Sequence, residues 1–190
     1  KAAQEALKTR EAMEIVNTDL IPALDKVGKD FEKGILFLPQ LLMAAEAAQS
    51  AFEVIKTAMQ GQSREKKGKV ILATVKGDIH DIGKNIVKVM VENYGYEVLD
   101  LGKDVAPETI VETAIADNIR VVGLSALMTT TVVSMEETIR QLREKKPDTQ
   151  VVVGGAVMTQ EYANRIGADC YARDAMATVR FCDQVFGGEG

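Results

Sequence analysis

The chain has one histidine, His80, and it stands in the run Asp78-Ile79-His80-Asp81-Ile82-Gly83, two residues after a carboxylate and directly behind an apolar stretch. A carboxylate beside an imidazole fixes which ring nitrogen carries the proton and aims the other at a metal or a transferable proton. As a metal site this run offers a single nitrogen. That is too little for a bare transition ion and suits an ion already caged in a macrocycle. Taken alone, a histidine behind a strand is more often a hydrogen-bonded loop residue than a ligand, so its neighbours in space decide the matter.

Those neighbours are set by the elements around it. From about residue 69 onward, short Val- and Ile-rich runs alternate with amphipathic helical stretches: Val70–Val75, Glu97–Leu101, Val121–Ala126, Val151–Val153 and a weaker Cys170–Ala172. Near-continuous apolar strands separated by helices predict a parallel sheet covered on both faces, with right-handed crossovers. The fold class is α/β: a flavodoxin-like, Rossmann-like doubly wound sheet of five strands in the order 2-1-3-4-5. Ligands of such sheets bind beyond the carboxyl ends of the strands, at the switch point between strands 1 and 3. Asp78, His80 and Gly83 follow strand 1, Ser125, Leu127 and Thr129-Thr130-Thr131 follow strand 3, and Gly154-Gly155 ends strand 4. All three loops therefore fall on one edge. Each has an ordinary reading too: the threonines as a helix cap, the glycine pair as a strand-to-helix turn, and the eight methionines as core gap-fillers.

Upstream, Ala, Leu, Met, Glu and Lys recur at helical spacing over about 1–16, 18–32 and 38–59, bounded by Asp19 before Pro22, by Gly34, and by Pro39 in a first turn. This predicts a helical bundle over residues 1–60, a linker at 61–68 and an α/β domain over 69–190. The polar, Lys-rich stretch 60–69 reads as a hinge. The opening residues lie in mid-helix without a methionine, as expected of a piece of something longer. A net charge of -5 argues against a nucleic-acid surface, and Arg64-Glu65-Lys66-Lys67-Gly68-Lys69 reads as solvated linker. The two cysteines suggest neither a disulfide framework nor a zinc site, no run is long and apolar enough to span a membrane, and a reducing cytoplasm is the default expectation.

The joint spacing is more specific than any part of it. DxHxxG at Asp78, His80 and Gly83, then SxL at Ser125 and Leu127, then GG at Gly154-Gly155, resembles the signature of cobalamin-binding domains that hold the cofactor base-off and histidine-on. Phe31 through Gln40 resembles the end of the helical cap of methyl-carrying corrinoid proteins and of cobalamin-dependent methionine synthase, so the likeness covers almost the whole chain. Within that group, Ala73 through Ile86 is most similar to the methionine synthase module. The resemblance implies that His80 is the lower axial ligand of cobalt, replacing the cofactor's own base, with Asp78 on the other ring nitrogen and Thr131, where serine is familiar, continuing the chain. It further implies that Gly77, Ile79, Asp81 and Leu127 border the cofactor and that Ser125 and Thr129 contact its displaced nucleotide tail. Gly83, Gly154 and Gly155 make room for that tail, and Ala175 gives a backbone contact. In the cap, Phe31, Leu38 and Leu41 would cover the methyl group and Asn17 would supply a polar contact.

What the resemblance implies for function is a methyl carrier. Cobalamin would cycle between reduced and methylated cobalt, taking a methyl group from a pterin-bound donor, methyltetrahydrofolate, and passing it to a thiol, homocysteine. Separate domains or proteins would hold donor and acceptor, with a reactivation partner possible, and the fragment alone would not complete turnover. The alternative is a stand-alone corrinoid protein of a methanol, methylamine or methoxyarene methyltransferase system. A carbon-skeleton mutase module shares DxHxxG without this cap, and a ligand-free signalling domain shares the fold alone.

Overall fold

The computed structural model describes residues 2–59 and 66–187. The chain divides into two compact units, Lys1–Ser63 and Arg64–Gly190.

In the first unit α1 (Ala2–Ala6) and α2 (Ala12–Ile15) are separate, although the sequence predicts one helix over 1–16. Arg10 marks the break: its guanidinium binds Glu14, Thr18 and Asp19, all C-terminal to it, and so ties this turn to α2 and the residues after it, not to α1. The break expected between 16 and 18 is absent. A π turn, Val16–Leu20, leads without interruption into α3 (Ile21–Glu32). Pro22 explains it, since the ring cannot donate to Thr18 and would crowd that carbonyl in α register, whereas a wider turn places Pro22 in the first turn of α3. α4 (Leu38–Met59) runs over the expected range. It starts where the Phe37 N–H donates to Gln40 Oε1 at 2.7 Å, half of a capping box.

The second unit is the expected five-stranded parallel sheet, ordered β2-β1-β3-β4-β5. Its strands are β1 (Lys69–Val75), β2 (Glu97–Val105), β3 (Val121–Ser125), β4 (Gln150–Gly154) and β5 (Cys170–Tyr171). They alternate with α5 (Ile82–Asn93), α6 (Pro107–Ala116), α7 (Val132–Lys145), α8 (Gln160–Arg165) and α9 (Ala175–Gly187), with a short 3-10 turn at Thr129–Thr131 before α7. The period-two geometry of a strand sorts the core. Ile71, Ala73 and Val75 of β1, with Val122, Leu124, Val151 and Val153, join Ile110, Val111, Met135, Ile139 and Leu142 of α6 and α7 in one buried cluster. α5 and α9 pair with each other and cover the remainder.

β2 continues four residues beyond the expected Leu101, and it does so irregularly. Leu72 pairs with Asp100, Ala73 with Gly102 and Val75 with Val105, so β2 spends two residues and then three where β1 spends one and then two. The hinge expected at 60–69 is fixed in its last part. Lys67 N–H donates to Gly95 C=O at 2.9 Å, Glu97 N–H to Gly68 C=O at 2.8 Å, and the Lys67 ammonium reaches Asp183 of α9 at 3.0 Å. Residues 60–65 of that stretch lie outside the described residues.

Candidate cofactor site at the carboxyl edge of the sheet

The site is built around Asp78, which is fully buried at the end of β1. One carboxylate oxygen accepts the His80 N–H at 3.0 Å and the His80 ring Nδ1 at 2.8 Å. The other accepts the N–H groups of Leu127 at 2.7 Å and Met128 at 3.2 Å, and faces the Thr131 hydroxyl at 2.9 Å. Burial by itself would raise this carboxyl's pKa. The donors from His80, Leu127 and Thr131 outweigh it and hold the group well below the usual carboxylate range. Asp78 is therefore an anion, and a ring Nδ1 that donates to it leaves the Nε2 lone pair to bind something else. Among the described residues no group hydrogen-bonds Nε2, and the His80 side chain is 46% exposed.

Thr131 continues the chain as expected, and its hydroxyl has a second acceptor, Met128 C=O, at 2.8 Å. One proton serves two acceptors, so this hydroxyl can release Asp78 without being left unpaired. Its methyl also has a place: a Cβ built on Gly77 would lie 3.4 Å from Thr131 Cγ2, so the methyl lies over the glycine. Gly77 takes a φ of +86°, which turns the chain from β1 toward Asp78.

Ser125 closes β3 opposite Thr74 of β1, and their hydroxyls are 2.8 Å apart. This pair bridges the two strands of the switch point. Thr74 is fully buried and belongs to no motif, so spacing alone misses it; a hydroxyl inside the run Val-Ile-Leu-Ala-Thr-Val is the available signal. The glycines divide into two kinds. A Cβ on Gly155, whose φ is +125°, would sit 1.9 Å from Ala126 C=O, and one on Gly154 would sit 3.2 Å from Ala172 C=O, so the fold itself accounts for both. A Cβ on Gly83 would meet nothing within 4 Å. Among the described residues no packing demands that glycine.

Asp81 precedes α5, Thr129, itself exposed, opens the 3-10 turn, and Ala175 is the first residue of α9. Ile79, Leu127, Met128 and Val133 are exposed beside the network although all four are apolar. Among the described residues no three His, Cys, Asp or Glu side chains gather as a metal cluster, so the protein's own donor here is one imidazole. Chemically, the arrangement can offer a ligand one imidazole nitrogen beside exposed apolar side chains. In the helical unit Asn17 falls in the π turn and is exposed, Phe31 ends the exposed side of α3, Leu38 is the first residue of α4, and Leu41 is half-buried one turn later.

Comparison with known proteins agrees with this geometry. Residues 68–180 match a family described as B12 binding domain, and residues 1–56 match a second family of the same description. Dimethylamine corrinoid protein 1 of Methanosarcina mazei is 40% identical over 191 residues, 99% of this chain and 88% of its own length. The solved monomethylamine corrinoid protein of Methanosarcina barkeri superposes with a TM-score of 0.87 at 31% identity, over 96% of this chain and 88% of that one. The methanol:cobalamin methyltransferase complex of the same organism contains a chain that matches with a TM-score of 0.64 at 27% identity, over 96% of this chain and 70% of that one. With one aimed imidazole at the switch point and two matched B12-binding segments, the chain belongs to the cobalamin-binding family of corrinoid proteins.

Proposed function

We propose that this protein is the stand-alone methyl-carrying corrinoid protein of a methylamine methyltransferase system. The observation that carries the reading is His80: its Nδ1 is pinned by a buried anion and its Nε2 is free and half-exposed. When bound, cobalamin supplies a cobalt that accepts a methyl group and gives it up. The residues fit it, because the exposed apolar collar of Ile79, Leu127 and Met128 suits a macrocycle and Gly83 leaves space that the protein does not fill.

The chain's own residues then divide the work. His80 would hold the cobalt through Nε2. Asp78 fixes the tautomer and stabilises positive charge on the ring, so it favours ligation when Nδ1–H donates and can hold a proton on the ring pair when His80 lets go. Thr131 adjusts that balance by donating to Asp78 or to Met128. Ser125 with Thr74, Thr129, Gly83, Gly154 and Gly155 border the path of the nucleotide tail, and Ala175 contributes backbone there. Asn17, Phe31, Leu38 and Leu41, within residues 1–60, are the candidates that would cover the bound methyl group and exclude water.

The methylamine corrinoid relatives support a methylated amine as donor in place of methyltetrahydrofolate, and they favour a separate corrinoid protein over a methionine synthase module. DxHxxG is common to both classes and does not separate them; the expectation of a methionine synthase module rests on the wider stretch Ala73 through Ile86. The partners are a methylamine-specific methyltransferase and a second protein carrying a thiol acceptor.

The test is reconstitution with hydroxocobalamin, reduction to Co(II), and electron paramagnetic resonance. Nitrogen splitting from one imidazole is expected in the parent protein and none in His80→Gly, which should still retain cofactor through its tail. Splitting that survives the substitution would sink the axial assignment. For the donor, methylation of the reduced protein should require a methylamine methyltransferase with mono-, di- or trimethylamine. Methylation that instead required a methyltetrahydrofolate-binding partner would restore the methionine synthase reading.

A further inference from the structure

Asp104 takes a left-handed conformation, φ +54°, near the end of β2. Such a backbone is disfavoured for any residue with a Cβ, though aspartate tolerates it better than most. It follows Gly102, at φ +88°, and together they spend the extra residues that throw β2 out of step with β1. A strand that bulges at its end re-aims a side chain. Here the re-aimed group is the Asp104 carboxylate, which accepts the Gly77 N–H at 2.7 Å, while the Asp104 N–H donates to Asp78 C=O at 2.9 Å. Among the described residues these two bonds are what ties the backbone of the segment between Val75 and Ile82 to another strand. They bracket the peptide that carries the Asp78 side chain.

We propose that Asp104 is a positioning residue for His80: it clamps Gly77-Asp78 from the edge strand, sets the direction of the Asp78 carboxylate, and so aims the imidazole. The inference rests on the reading of His80 as cobalt's ligand. A side-chain acceptor at this position does two things that a strand end without one does not. It fixes Gly77 in the positive-φ turn that delivers Asp78 to the N–H groups of Leu127 and Met128, and it does so from a strand that makes no hydrogen bond to Asp78's side chain. The orientation of His80 is thereby held from β2 as well as from the loop after β3.

Asp104→Gly and Asp104→Asn separate the clamp from the backbone strain, since glycine relieves φ but removes the acceptor, whereas asparagine tolerates φ and keeps one. In cofactor-free protein, Asp104→Gly should speed amide exchange at Gly77 by about tenfold or more, the scale of a bond to a charged acceptor, and exchange at Leu127 by less, with the amides of β1 and β3 unchanged. In the Co(II) form the nitrogen-split fraction should fall severalfold. Asp104→Asn should stay close to the parent in both. A glycine variant with parental exchange at Gly77 and a parental nitrogen-split fraction overturns the proposal, as does an asparagine variant that loses as much as glycine while its β1 and β3 amides remain protected. If the parent itself shows no nitrogen splitting, the reading of His80 fails, and the exchange rates still decide whether Asp104 holds the loop. Should Asp104→Gly not fold, scalar coupling across the Gly77 N–H to the Asp104 carboxyl carbon in the parent is the deciding measurement, and its absence overturns the proposal.

Discussion

Two carboxylates anchor opposite edges of the same sheet, and they end differently. At the amino edge Asp183 accepts the Tyr96 hydroxyl at 2.6 Å and the Lys67 ammonium at 3.0 Å, and Lys67 also lies over the Tyr96 ring. Each of those donors ends on the anion. At the carboxyl edge Asp78 gathers more donors and is more deeply buried, yet one of them, His80, carries a second nitrogen that faces outward. Greater burial and a larger set of donors do not by themselves make a functional hub. The free acceptor at the far end of the network does.

The comparison is broken most severely at Asp78. Asp78→Ala should leave the Leu127 and Met128 N–H groups without their acceptor and cost about 3 kcal/mol of stability, read as a lower denaturation midpoint, together with loss of nitrogen splitting in the Co(II) form. An undiminished midpoint would show that the loops after β1 and β3 do not depend on this anion.

Asp183→Ala should cost less, about 1–2 kcal/mol from the buried Tyr96 hydroxyl, and leave the cobalt spectrum untouched. A changed spectrum would mean that the two edges are coupled. A third carboxylate sharpens the contrast through pH. Asp100 of β2 is desolvated, which by itself raises its pKa, but the ammonium groups of Lys84 and Lys88 and the Gly102 N–H hold it below the ordinary value. Its stabilisation is thus complete above the unfolded-state pKa, about 4, and is lost as pH falls through the folded-state value. The expected result is a shallower decline of melting temperature below pH 4 in Asp100→Asn than in the parent, from a lower starting point because Lys84 is buried. Equal slopes would remove Asp100 from the account. Smallest of all, Thr131→Ser keeps the hydroxyl and loses only the methyl over Gly77, so stability should fall by about 1 kcal/mol or less with the nitrogen splitting kept.

Much of this is written in the chain. The strands β1, β3 and β4 announce themselves because central parallel strands are apolar on both faces, and the DxHxxG, SxL and GG residues can be assigned to one edge from strand order alone. What cannot be read is set by pairing between distant segments. β2 beyond Leu101 looks polar, Gly-Lys-Asp, and becomes strand by bulging against β1; Gly102 is the single hint. The pairing of Thr74 with Ser125 needs the register of β1 on β3. The glycine pair at 154–155 has its reason in Ala126 and Ala172, residues that sequence spacing does not bring near. The choice between methionine synthase module and separate corrinoid protein lies beyond a motif both share.

The π turn at Val16–Leu20 has one more effect. Ile15 just before it and Val16 at its start are buried, and partial burial resumes at Leu20 and Ile21, with Leu24 and Val27 next. A regular α-helix would bring Asp19 beneath Ile15 and Val16; the wider turn delays the apolar side by one residue and leaves Asp19 outside, where it meets Arg10. The turn works as a phase shifter. Winding the same residues as a regular α-helix would rotate everything downstream, α3 and Phe31 with it, by about 100° relative to α2, whereas deleting one residue within the turn would restore regular winding with that face kept.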